Sequence, residues 1–333
     1  MDIRVYAPVL WQLSSRLGNL SALKTLTLKG FREWDFHSNM IFDAPNLTSL
    51  CLDSSCRVLP SMLPSSNLRQ FTGGFYDGAE FRNSISAVPR LEVLGVQVIG
   101  GGQRTQSSSV AAPIPVTLHH LRQLSYLSYS ETCTKYLTLP ALRILGTMQS
   151  TCNTSAMTAL YSRSHFSLDE LYLCRSCIQF AAAAHFFEMS SILDLTHLHL
   201  EVNNSTVHDW ITALTVTASS CLLPNFSQLT VVAHAVGRSI LVSDLDESRR
   251  LLDMVHSRLP DSAEVNPSLK TYLKKIDVLI LWEPLGARMM YVDGFRVFRE
   301  GGLDANLHFA EEASPLWNIG PMLCLSPERL LFC

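Results

Sequence analysis

An apolar residue at positions 1 and 4 of a short window, joined in eight copies by one at position 6, recurs ten times along the chain. The windows start at Leu23, Leu47, Leu68, Leu91, Leu121, Leu142, Leu168, Leu195, Phe226 and Ile276. Successive starts lie 21 to 31 residues apart, except for the last gap of 50, which reads as two periods with one degenerate copy. Within the windows, among them LKTLTL, LTSLCL, LEVLGV, LDELYL, LTHLHL and IDVLIL, apolar residues alternate with others. Alternation of period two over so short a run predicts a strand. Pro45, Pro89, Pro140 and Pro224 each stand two residues ahead of a window, where a strand's first residues lose no ladder hydrogen bond to proline. Helical spacing fills several of the gaps. It marks Val9, Leu10, Leu13 and Leu17, then Phe180, Ala183, Ala184 and Phe187, and more weakly Ile211, Leu214 and Val216. Asp244 to Glu247 reads as a capping box that opens a helix through Leu251, Leu252 and Val255 to Leu259, ended by Pro260. Phe295, Phe298 and Leu303 predict one more helix, and Ala305 to Phe309 one more strand.

A Leu-x-x-Leu-x-Leu core with a period of 20–29 residues is the pattern of leucine-rich repeats. Short strands alternating with helices imply a parallel sheet covered on one side. The expected fold is therefore α/β: a leucine-rich-repeat solenoid, an open curved parallel sheet with helices on the convex side. It is expected to span residues 1–310, with an irregular tail over 311–333. Residues 100–115, GGGQRTQSSSVAAPIP, interrupt the period and read as a flexible surface loop. Their glycines fit neither a GxxxxGK[ST] nor a GxGxxG phosphate frame.

Charged residues are 17 % of the chain, so Ser, Thr, Asn and Gln must supply much of the polar surface. A net charge of −3 gives no electrostatic case for nucleic acid or an anionic membrane. No stretch approaches the roughly 18 uncharged apolar residues of a membrane span. The first residues, MDIRVYAPVL, lack the h-region of a secretory signal, and nine cysteines is an odd number. Together these favour reduced thiols and a cytoplasmic or nuclear setting. Sequons at Asn46, Asn153, Asn203 and Asn225 are then chance matches in a Ser/Thr-rich chain.

Positions 4 and 6 of a window face the core, so positions 3, 5 and 7 face the other side of the sheet. Early windows place Thr25, Thr27, Lys29, Ser49, Cys51 and Asp53 there, and middle ones Gln70, Thr72, Gln97 and Gln123. The later windows carry the candidate partner-binding set, Ile144, Met148, Glu170, Tyr172, His197, His199, Glu201 and, from the last, Trp282, which also places Val278 and Ile280 on that face. Aromatic side chains left on an open face are where interface hot spots concentrate. Parallel pairing should set Glu170 beside His197 and Tyr172 beside His199, and histidines next to carboxylates are expected to be partly protonated at neutral pH. His197-x-His199-x-Glu201, with Glu170 and Cys174 on the next strand, could be drawn as a zinc site. The bland alternative is a solvated sheet face, and closely spaced ligand types recur by chance. Cys174-x-x-Cys177 has no second pair, and His119-His120 reads as solvent-exposed. No GxSxG or HExxH motif occurs, so no metal, cofactor or catalytic residue is assigned and the chain is read as no enzyme.

PNLTSLCL, PRLEVL, the helix LLDMVHSRL and the segment GLDANLHF resemble the leucine-rich-repeat regions of fungal F-box proteins, over roughly residues 20–309. The F-box itself, a proline-led three-helix segment, does not precede Leu23. What the resemblance implies is a non-enzymatic scaffold like the substrate-binding repeats of an F-box ubiquitin-ligase subunit, with a protein substrate on the concave face. A cullin-ligase adaptor enters only through an upstream F-box. The alternatives are a stand-alone repeat regulator that binds a protein without a ligase and, more distantly, a metal-dependent enzyme using His197 and His199. Nucleic acid and membrane are not expected partners.

Overall fold

The computed structural model describes residues 2–6, 21–29, 44–52, 67–75, 78–98, 115–128, 132–147, 154–176, 187, 192–203, 206–217, 221–234, 244–260, 270–280 and 287–309. These fall into two compact units. Unit one holds the described residues through Arg143 together with Ser155–Phe166, and unit two holds the rest.

In unit one, β1 (Asp2–Tyr6), β2 (Thr25–Lys29), β3 (Ser49–Leu52), β4 (Gln70–Phe75), β5 (Val93–Val98) and β7 (Gln123–Ser128) lie side by side in that order, all parallel. A two-strand ladder of β6 (Val116–Thr117) and β8 (Leu137–Thr138) stands apart from this sheet. The helices are α1 (Gly78–Ser86), α2 (Thr132–Lys135) and α3 (Thr154–Ser164). In unit two, β9 (Ile144–Thr147), β10 (Glu170–Ser176), β11 (His197–Asn203), β12 (Gln228–His234), β13 (Lys275–Ile280) and β14 (Asp304–Phe309) form a second parallel run in chain order. Its helices are α4 (Val207–Leu214), α5 (Asp244–His256) and α6 (Ala287–Glu300). The chain is thus α/β, built on parallel strands linked by helices and turns.

Register ties the sequence windows to this architecture. Position 4 of one window pairs with position 4 of the next: Leu26, Leu50, Phe71, Leu94 and Leu124 in unit one, and Leu145, Leu171, Leu198 and Leu229 in unit two. All nine are buried, as are Leu52, Leu173 and Leu200 at position 6. The side chain of Leu28 lies outside the described residues. Each buried leucine contributes roughly 1.5–3 kcal/mol relative to exposure, so the column is the main cohesive feature of each unit. Helix faces close the core from one side. In unit one, Phe81 of α1 meets Phe75 edge to face at 5.2 Å, and Phe75 meets Phe71 at 5.7 Å. The Tyr126 hydroxyl reaches Met157 Sδ of α3 at 3.4 Å. In unit two, Trp210 of α4, Met254 and Val255 of α5, and Phe295 of α6 are buried at helical spacing.

The backbone shows why the windows begin as they do. A turn closes just ahead of them, with Leu47 N–H donating to Ala44 C=O, Leu91 to Val88, Leu142 to Leu139 and Phe226 to Leu223. Pro45, Pro89, Pro140 and Pro224 occupy the second residue of these turns. They do not open the strands; they preset the backbone angle that this turn position needs. Leu121 to Leu118 and Leu195 to Ile192 make the same turn without proline. Each strand is then docked at one point: the position-2 carbonyl, such as that of Lys24, Thr48, Arg69, Glu92, Asp169, Thr196 or Ser227, accepts from two successive N–H groups of the following strand. A recurrent asparagine adds a side-chain link. Asn46 Nδ2 donates to Ser21 C=O at 2.7 Å, Asn67 to Pro45 C=O at 2.8 Å, and Asn225 to Leu193 C=O at 2.9 Å. Two of these asparagines are the sequons read above as chance matches, and their amides are occupied by structure.

Three expectations need correction. Ile276 pairs with Leu229, not with Phe226, so the last window starts at Leu273, three residues earlier than the pattern suggests. Val278 and Ile280, assigned to the open face, are consequently core residues, 1 % and 3 % exposed. An unforeseen strand, β1, precedes the first window and pairs with β2, Ile3 opposite Leu26. Helices α1 and α3 were also not marked by the pattern, because each presents few apolar positions. The expected helix at Val9–Leu17, most of the 100–115 loop, the helix start at 180–184 and the 311–333 tail lie outside the described residues. α5 and β14 stand where the pattern put them; α6 holds Phe295 and Phe298 but ends at Glu300, so Leu303 lies beyond it.

Candidate functional site

On the side of unit two's sheet opposite the leucines, alternate residues of β9 to β14 form a polar strip. Glu170 pairs with His197, and Tyr172 with His199, as the spacing predicts. Ile144 is the neighbour of Glu170, and Gly146 that of Tyr172, so the aromatic ring is flanked on one side by a residue with no side chain. On the other side His197 faces Gln228, and His199 faces Thr230.

These side chains form one connected network. The Tyr172 hydroxyl donates to Glu170 Oε2 at 2.7 Å, and His197 Nδ1 lies 3.9 Å from the same oxygen. His197 Nε2 is 3.3 Å from Thr230 Oγ1. The Tyr172 ring contacts both imidazoles with centroids 5.5 Å apart, close to edge-on to His197 and tilted by 30° to His199. Further along, Asn306 Nδ2 donates to Asp277 Oδ1 at 2.9 Å, and Lys275 pairs with Asp277 at 3.2 Å.

The strip is less solvated than the sequence suggests. Glu170 and His197 are half-buried, but Tyr172, His199 and Glu201 are 5 %, 2 % and 5 % exposed. Bulky neighbours at 4.8 Å strand spacing shield one another, which an alternation count does not register. Burial also decides the protonation of His199. Removal from water, then the nearby His197, push its pKa down to about 4, against a smaller upward pull from Glu201. The expectation of partial protonation at neutral pH is therefore wrong for His199: loss of hydration outweighs the carboxylate. Its Nε2 has no hydrogen-bond partner among the described residues. Met148, Trp282 and the side chain of Cys174 lie outside the described residues. His119 and His120 are exposed at their turn.

Chemically, the strip is a hydrogen-bonding surface around an aromatic centre. The one proton of the Tyr172 hydroxyl is committed to Glu170. No group of three His, Cys, Asp or Glu among the described residues is arranged to hold a metal ion. No helix among them is long and apolar enough to cross a membrane. A cavity of about 30 Å³ in unit two is lined mainly by apolar side chains, Leu200, Trp210, Leu251, Met254, Val278 and Ile280 among them, which is room for about one water.

Sequence reasoning missed the most heavily engaged charge in unit two. Arg258 is fully buried just beyond α5 and donates to three carbonyls, Leu214 at 2.7 Å, Leu222 at 2.7 Å and Leu223 at 3.3 Å. Its guanidinium lies 5.1 Å from the Phe226 ring centroid. Burial lowers its pKa to about 10, so the charge persists at neutral pH. Leu223, whose carbonyl accepts one of these bonds, is held at φ 57°, where a branched side chain is strained. In the sequence HSRLP this arginine looks like an ordinary exposed helix end, and no spacing marks it. It fixes the turn that launches β12, next to the strip. No protein-family model matches this chain, and no curated protein matches it.

Proposed function

We propose that the chain is a leucine-rich-repeat recognition scaffold, a non-enzymatic protein that holds a protein partner on the open side of its sheet. The observation that carries this reading is the shared register: position 4 pairs with position 4 from strand to strand in both units, with one strand per window. Such a ladder uses the leucine side for cohesion and does not require the other side to be apolar. In unit two that side carries Tyr172, a residue type in which interface hot spots concentrate, with Glu170, His197 and His199 around it. The sequence resemblance to the repeats of F-box proteins supports a substrate-holding role in a ubiquitin ligase; a stand-alone regulator is the alternative within the same reading.

Affinity capture from the source cell followed by mass spectrometry tests this. Co-purification of a cullin adaptor supports the ligase role, and a partner without one supports the regulator. For the captured partner, Tyr172→Ala/His199→Ala should weaken binding by about 1–2 kcal/mol or more, while Asp253→Ala on the exposed side of α5 should leave it unchanged. Equal affinity for all three proteins would reject the open face of unit two as the binding surface.

A further inference from the structure

The open side of unit one differs in kind. Facing away from the leucines, β3 offers Ser49 and Cys51, β4 Gln70, Thr72 and Gly74, β5 Val93, Gly95 and Gln97, and β7 Gln123 and Ser125; none of these is charged. Gly95 pairs with Thr72 on one side and Ser125 on the other. A glycine between two short side chains leaves a notch in the sheet face, with the hydroxyl-bearing residues two strand spacings apart, roughly 10 Å. Thr72 and Ser125 are 4 % and 5 % exposed. Among the described residues, Thr72 Oγ1, Ser125 Oγ and Gln97 Oε1 are buried with no hydrogen-bond partner. Three orphaned polar atoms on three adjacent strands, all on one side, are uncommon in a folded protein, where such groups are nearly always satisfied.

We propose that this notch is a second recognition site, which takes an amide group of an uncharged, extended peptide segment. The donor and acceptor count selects that chemistry. Gln97 Oε1 can only accept, so it needs an N–H; each hydroxyl can donate to a carbonyl or accept from an N–H. An amide, from a backbone or an Asn or Gln side chain, supplies both. A lysine or arginine brings donors alone and a charge that nothing on these four strands neutralises. A carboxylate would be set against the Gln97 carbonyl oxygen. The site lies on strands other than those of the Tyr172 network and does not depend on the reading given to that network.

The test uses the full chain and three sets of capped nonapeptides: alternating Asn and Val, and the same with Asp or Lys in place of Asn. Fluorescence anisotropy should show the neutral set binding at least ten-fold more tightly than either charged set. Gly95→Val, which fills the notch with a residue suited to a strand, should reduce neutral-peptide affinity at least ten-fold. Thr72→Val and Ser125→Ala should each reduce it three-fold or more while leaving the melting temperature of the free protein unchanged or raised, because each removes an unsatisfied hydroxyl. A Gly95→Val protein that fails to fold leaves these two variants to decide. Equal binding of charged and neutral sets, no binding by any set, or affinity unaffected by the hydroxyl variants would overturn the proposal. So would displacement of the neutral set by a synthetic peptide of residues 310–333 with higher affinity, which would make a segment of this chain the occupant.

Discussion

On the side opposite the leucines, unit one sets Thr27, Cys51, Thr72, Gly95 and Ser125 at window position 5, whereas unit two sets Gly146, Tyr172, His199, Thr230 and Asp277 at the equivalent places in register. The first series is small and uncharged; the second includes two large rings with carboxylates beside them. The opposite side of the same strands barely differs between units, since both stack apolar residues at less than 5 % exposure at position 4. Cohesion therefore constrains one side of the sheet and leaves the other free, and the free side is where the two units acquire different chemistry.

The comparison breaks most sharply if the cohesive elements are not equivalent. Arg163 of unit one is only part-buried and donates to two carbonyls, Thr134 and Leu137, whereas Arg258 is fully buried and donates to three, so Arg258→Met should destabilise unit two selectively. With three carbonyls losing a charged donor, each bond worth about 1.5–3 kcal/mol, we expect a loss of about 4 kcal/mol or more, read by amide hydrogen exchange of β12 and β13. Leu94→Ala in unit one and Leu198→Ala in unit two should each cost about 2–5 kcal/mol in urea unfolding, because both empty a fully buried leucine site. A cost below 1 kcal/mol in either would mean that its column does not hold the sheet together.

His199 supplies a difference in pH response. Its pKa is about 4 in the folded protein and about 6.5 when unfolded, so between these values the unfolded chain binds a proton that the folded one refuses. Stability of unit two should thus fall as pH drops from about 6.5 to about 4 and be unaffected by this group above pH 7. The full difference is on the order of 3 kcal/mol, at 1.36 kcal/mol per pH unit. His199→Thr, which imports the chemistry of unit one, should remove that slope; an unchanged slope would assign it to other groups. The smallest effects separate satisfied from unsatisfied hydroxyls. Tyr172→Phe deletes the bond to Glu170 and should cost about 1 kcal/mol, while Thr72→Val should cost nothing or stabilise slightly in thermal melts.

Most of the strand positions were legible because the leucine column is a local, periodic requirement. Nine windows read in the register that the sheet adopts. The tenth failed because Leu273, Ile276 and Val278 match the loose template as well as Ile276, Leu279 and Leu281 do, and β-branched residues do not say which leucine-type position is first. The prolines were seen, but their turn was not, since a proline at a strand start and one in the preceding turn differ by a single residue. The candidate site was legible in its neighbours and not in its environment. Strand spacing gives Glu170 beside His197, but the desolvation of His199 depends on how closely the Tyr172 ring packs against it. Arg258 was illegible because its three carbonyl partners are 35 to 44 residues away in sequence.

The most direct measurement is a hydrogen-exchange footprint of the captured partner on the full chain. Recognition through the open face of unit two predicts slowed exchange in β10 and β11, around Glu170–Tyr172 and His197–Glu201, with α4, α5 and α6 unchanged. Protection confined to those helices, with β10 and β11 unaltered, would contradict the account.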